Sequence, residues 1–161
     1  MKKKSCVVIG IGNPNFKDDA IGLEVIEALR QDEEVLEFVD LESFWNIDLK
    51  VIDTMLGYEK AIVVDAMKTG AEPGTIFEFD GKTTWERVYA SGTHSMSIFE
   101  VIRIGYTIFP EEMPKEVKVI GIEGKEVLAL GKGISEEARQ AVEKVKDIIK
   151  KECVKSESPQ S

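Results

Sequence analysis

Four polar residues stand where a catalytic or metal-holding group is useful. Asp18 and Asp19 follow closely on the apolar run Cys6-Val7-Val8-Ile9. Asp65 closes a second apolar run, Ile62-Val63-Val64, and His94, the only histidine, lies in the small polar stretch Ser91-Gly92-Thr93-His94-Ser95. Two carboxylates and one imidazole (Asp19, Asp65 and His94) make a mixed oxygen and nitrogen set that suits a divalent transition metal with coordination positions left open. Without metal, Asp19 and Asp65 could share a proton as an aspartic dyad. Each residue also has an ordinary structural account. Carboxylates are favoured as helix caps and in first turns, an aspartate after a strand can bond loop amides, and a lone histidine is often structural.

Other chemistries have less to stand on. Gly10-x-Gly12 is followed by Pro14 instead of a third glycine, and two carboxylates at a helix entrance would repel a pyrophosphate, so a dinucleotide site is not expected. A Cys–His or Ser–His enzyme would have to recruit His94 as well, and neither cysteine lies in a strand-to-helix elbow. Cys6 reads as a small core residue and Cys153 as part of a polar tail, with no zinc-type spacing between them. Nothing in this usage asks for an oxidising compartment, which makes a reducing cytoplasm the default.

The elements that must position these residues follow from hydrophobic periodicity. Strands are expected over 5–11, 35–40, 61–64, 75–79 and 117–122, and helices over 20–31, 47–56 and 97–106, with a last helix from Ser135. Ser97 and Glu100 have the spacing of a capping box, and Ser135 ahead of Glu136-Glu137 is a good N-cap. The order β-α-β-α-β-β-α-β-α predicts an α/β sandwich with a mainly parallel sheet and a crevice beyond the carboxyl ends of strands 1 and 3. Asp19, Asp65 and His94 all fall in segments expected at that end. Residues 1–150 read as one α/β hydrolase-type domain, and 151–161 as a polar, disordered tail.

Composition narrows the function further. The 161 residues carry 21 Lys and Arg against 30 Asp and Glu, a net charge of −9, which argues against a nucleic-acid partner. The basic start Met1-Lys2-Lys3-Lys4 superficially suggests a signal peptide, but its apolar stretch is broken by Gly10, Gly12 and Pro14. No run approaches the roughly 18 apolar residues of a membrane span, so no membrane insertion is expected.

Taken in order, Gly10-x-Gly12-Asn13, Asp18-Asp19-Ala20-Ile21-Gly22, Val63-Val64-Asp65-Ala66, Glu72-Pro73-Gly74-Thr75 and Thr93-His94-Ser95 resemble the hydrogenase maturation protease family from Val7 to about Ile149. The resemblance implies a phosphorylase/hydrolase-like, three-layer α/β/α sandwich on a five-stranded, mostly parallel mixed sheet. Its strand order would be 2-1-3-5-4, with the fourth strand antiparallel. It implies a nickel-dependent endopeptidase that removes the C-terminal extension from a [NiFe]-hydrogenase large-subunit precursor, with Asp19, Asp65 and His94 as metal-binding residues. The nickel would be that of the precursor. Two alternatives stay open: a nickel-sensing or chaperone-like module that does not cut, and a metal-independent hydrolase using the Asp19/Asp65 pair. Where the family often has a Gly-Thr turn after strand 2, this chain has Leu41-Glu42-Ser43-Phe44-Trp45-Asn46, whose aromatics either meet the substrate or shield the sheet end.

Overall fold

A computed structural model describes residues 4–82 and 97–154. Its sheet has the order β2-β1-β3-β5-β4. The strands are β1 (Cys6–Ile11), β2 (Val39–Phe44), β3 (Lys60–Met67), β4 (Ile76–Asp80) and β5 (Glu116–Glu123). β1 pairs in parallel with β2 and β3, and β3 with β5, while β4 runs antiparallel along β5. This is the order and the one reversed strand that the family resemblance implied.

Alternation within the strands divides the core into two layers. Val8, Ile62, Val64, Ile120 and Ile122 face one side, where Ile21, Val25 and Leu29 of helix α1 (Ile21–Arg30) and Val142, Val145 and Ile149 of α5 (Glu136–Cys153) cover them. Val7, Ile9, Val63, Val117 and Val119 face the other side, against Val51 and Met55 of α3 (Lys50–Met55) and Val101 and Ile102 of α4 (Ile98–Ile108). Strands buried on both faces are what a parallel sheet sandwiched between helices requires. The expected capping box of Ser97 and Glu100 is present at the start of α4. Ser135 caps α5 by accepting from the Ala138 amide at 3.1 Å.

The structure corrects three expectations. Residues 35–40 do not form the second strand: most of them lie in a short helix, α2 (Glu33–Phe38), and the strand starts at Val39. Asp32 explains the shift, because its side chain accepts from the amides of Glu34 and Val35 and starts a helical turn locally. Of the stretch 41–46, which stands where the family often has a turn, residues 41–44 therefore belong to β2 itself, and Trp45 is the first residue beyond it. Second, the 47–56 helix shortens to α3, with Ile47 buried ahead of its first turn. Third, α5 runs past residue 150 to Cys153, which is buried against Cys6 instead of lying in a polar tail. Among the described residues, no helix is long and apolar enough to cross a membrane.

Candidate functional site

The segment that follows β1 is held against the sheet by glycines. A Cβ on Gly12 would stand 2.0 Å from the Asp19 carbonyl oxygen, and one on Gly22 would be 2.3 Å from the Ile11 carbonyl and 2.5 Å from that of Val64. These glycines serve close approach of backbone to backbone, not a phosphate. They allow the 3-10 turn Lys17–Ala20 and the start of α1 to press onto the ends of β1 and β3. The Asn13 side chain accepts from the Asn15 amide at 2.9 Å, and the Asn13 amide donates to Asp19 Oδ2 at 2.9 Å. Asp19 is thereby fixed at the carboxyl edge of the sheet, 5% exposed.

Asp65 comes from the neighbouring strand. Pairing of β1 with β3 ends at Gly10↔Val64, whereas β5 keeps pairing through Asp65↔Gly121 to Met67↔Glu123. Asp65 is therefore inside β3, not just after it, at the step where β1 has turned away. It is 4% exposed, and its Oδ1 has no hydrogen-bond partner among the described residues. Burial pushes its carboxyl well above the usual carboxylate range, and the charge of Asp19 pushes it further, against a lowering bond from the Ala66 amide. Two buried carboxylates thus repel each other electrostatically, and burial adds to the cost of charging both. Such a pair either shares a proton or receives a cation.

The other buried acids do different work. Asp18, 1% exposed, accepts from the amides of Lys125 and Ser135 and from the Ser135 hydroxyl, each at 2.7 Å. Neither Asp18 nor Asp19 caps α1: no side chain caps that helix, and Asp18 instead ties the post-β1 turn to the segment leading into α5. A cavity of about 320 Å³ opens over Asp18, lined also by Lys17, Lys125 and Lys132, but its aspartate is already saturated. Sequence reasoning passed over Glu123, which is fully buried and accepts from the amides of Thr69 and Gly70 and the Thr69 hydroxyl. It pins the loop that leaves β3 just beyond Asp65. Its signal was available: like Asp65, it follows an apolar run, here Val119-Ile120-Gly121-Ile122.

The structure brings Asp19 and Asp65 together. His94 lies outside the described residues, and among those that are described no group of three or more His, Cys, Asp or Glu side chains is arranged for a metal ion. Trp45, 54% exposed, sits on the loop leaving β2 at the same edge, and Leu128 and Leu130, 60% and 75% exposed, sit on the loop leaving β5.

Comparison with known proteins bears on this site. Residues 23–152 match the family model of the hydrogenase maturation proteases (HycI). A Methanocaldococcus jannaschii protein assigned by name to the same family is 31% identical over 157 residues, covering 92% of this chain and 96% of the relative. Over 86 residues, 46% of this chain and 50% of the relative, the sequence is 38% identical to the coenzyme F420 hydrogenase subunit delta of Methanothermobacter thermautotrophicus. Among solved structures, the endopeptidase HycI of Escherichia coli superposes with a TM-score of 0.74 at 19% identity, covering 91% of this chain and 90% of that one. The fold is that of a small α/β protein, and the family match makes it a peptidase. The chain belongs to the hydrogenase maturation protease family.

Proposed function

We propose that this peptidase removes the C-terminal extension of a [NiFe]-hydrogenase large-subunit precursor once nickel has been inserted, with Asp19, Asp65 and His94 receiving the precursor's nickel. The observation that supports it most is Asp65: a buried carboxylate oxygen without a donor among the described residues, beside a second buried carboxylate, is well served by a divalent cation. With one imidazole and no thiolate in the set, free metal would be held loosely, and ligands from the precursor would complete the coordination. When bound, nickel would supply positive charge and Lewis acidity at the scissile carbonyl.

The chain's own contribution is positioning. The Asn13 amide holds the Asp19 carboxylate, and the continuous β3/β5 pairing holds Asp65 at the edge where a precursor tail can enter. An ionised carboxylate there would orient or deprotonate the attacking water. The match to an F420 hydrogenase subunit makes the large-subunit precursor of an F420-reducing hydrogenase the first substrate to try, and the work would be done in the cytoplasm.

A second reading has its own support. The raised Asp65 carboxyl next to Asp19 is also how a proton-sharing aspartic dyad begins. The deciding experiment offers the enzyme nickel-loaded and nickel-free precursor and follows the C-terminus by intact mass. Cleavage of the loaded form alone is expected. Equal cleavage of both would return the dyad to the lead, and binding without any mass change would make the chain a non-cutting module.

A further inference from the structure

The only two cysteines of the chain, 147 residues apart, meet at the end of the sheet opposite Asp19 and Asp65. Cys6 is the first residue of β1 and Cys153 the last of α5, and their Sγ atoms stand 2.6 Å apart, closer than two non-bonded sulfurs rest. Both thiols are buried, at 3% and 5% exposure, in the same core layer. No other thiol competes for either.

We propose that Cys6 and Cys153 form a dithiol–disulfide redox site whose oxidation locks the first strand to the last helix. The oxidant is a small-molecule disulfide. Cys153 thiolate attacks one sulfur of it, the small disulfide bond breaks, and one small thiol leaves. Cys6, losing its proton, then attacks Cys153 Sγ and expels the second small thiol. Two protein thiols become one disulfide, and the oxidant takes up both electrons and both protons.

The surroundings assign the two roles. The contact with Cys6 lowers the Cys153 thiol, and Lys60 nearby lowers it further, whereas the same contact and burial raise Cys6. Position assigns the same roles: Cys153, in the last turn of α5, is the attacking sulfur, and Cys6, held in the sheet at the start of β1, is the resolving one. Access comes from the helix end, since Cys153 sits in the last turn of α5, where fraying exposes side chains transiently. This inference is independent of how the peptidase site works, because the pair lies at the far end of β1.

The test uses the full chain. It is incubated with oxidised glutathione, then denatured in N-ethylmaleimide, and its intact mass is measured. The expected product carries no maleimide and is about 2 Da lighter than the reduced chain, with a thermal midpoint several degrees higher that falls back on addition of reductant. Cys6→Ser, lacking the resolving thiol, should instead retain one glutathione on Cys153. Maleimide on both cysteines of the oxidised wild type, a glutathione adduct persisting on it, or a disulfide-linked dimer would each overturn the proposal. So would an intramolecular disulfide that leaves the midpoint unmoved. These readouts need no variant to fold and no hydrogenase precursor.

Discussion

The two ends of the sheet handle charge in opposite ways. At the amino end, Lys60 and Lys118 both reach Glu152 on α5, and Glu116 and Glu78 add further pairs. Each positive side chain there has carboxylates around it, and the cluster lies over the Cys6–Cys153 contact. At the carboxyl end, Asp18 and Glu123 are held by backbone amides and hydroxyls, whereas Asp19 and Asp65 are buried like charges that repel each other. Opposite charges in contact stabilise a fold modestly, whereas like charges in a crevice weaken it and are kept where chemistry needs them. On the proposed function, the carboxyl end is the working end.

The largest effect should come from neutralising the mismatched pair. Asp19→Asn and Asp65→Asn should each cut precursor cleavage about 10²–10⁴-fold, the scale of losing a catalytic acid–base group, followed by mass of the precursor. The metal-free Asp65→Asn protein should nevertheless denature at a higher urea concentration than wild type at neutral pH. The folded state raises the Asp65 carboxyl, so the fold is weakened fully above that raised pKa, and the weakening is relieved as pH falls from it to the unfolded value. The variant's advantage should therefore vanish in acid. A variant no more stable than wild type at neutral pH would mean that the two carboxylates are not in conflict.

Asp18→Ala, one residue away, should do the reverse. It strands the half-buried amides of Lys125 and Ser135 and should cost about 1–3 kcal/mol in urea denaturation. A loss of activity with stability intact would place Asp18 in the working pair instead.

A smaller effect, about 1 kcal/mol or less, is expected of Glu152→Gln at the amino end. Lys118 and Lys60 hold the Glu152 carboxyl below the usual range. Its contribution is present above the unfolded pKa and is lost as pH falls through the lowered folded one. Acid should thus weaken one end of the sheet while relieving the other, and wild type and the two variants followed across pH would separate the ends. The smallest change in stability is expected of Trp45→Ala, about 0.5 kcal/mol or less for an exposed side chain. If Trp45 meets the precursor, its KM for cleavage should rise while kcat holds.

Much of this organisation is legible in neighbouring residues. The parity of Val7, Ile9 and Ile11 against Val8 assigns strand faces, Ser97 and Glu100 announce the start of α4, and an aspartate closing the run Ile62–Val64 flags the sheet edge. All of these are local signals, carried by residues a few positions apart whose side chains share one face or one turn. The sequence thus determined the α/β layering, the order of the five strands and of all the helices but α2, and the candidacy of Asp19 and Asp65. Residues 35–40 escaped the same logic, because Asp32 capping and β-branched periodicity compete over a few residues, and only pairing of Val39 with Cys6 selects where the strand begins. The division of labour among the acids was likewise tertiary. Asp18 is saturated by Lys125 and Ser135, Glu123 by Thr69 and Gly70, and Cys153 finds Cys6 across the whole chain. Burial and charge depend on which groups the topology packs around a side chain, and those partners lie from about fifty to nearly one hundred and fifty positions away. No local pattern carries that distance; the sheet order does, by bringing the end of β1 beside the end of β3 and the start of β1 beside the end of α5.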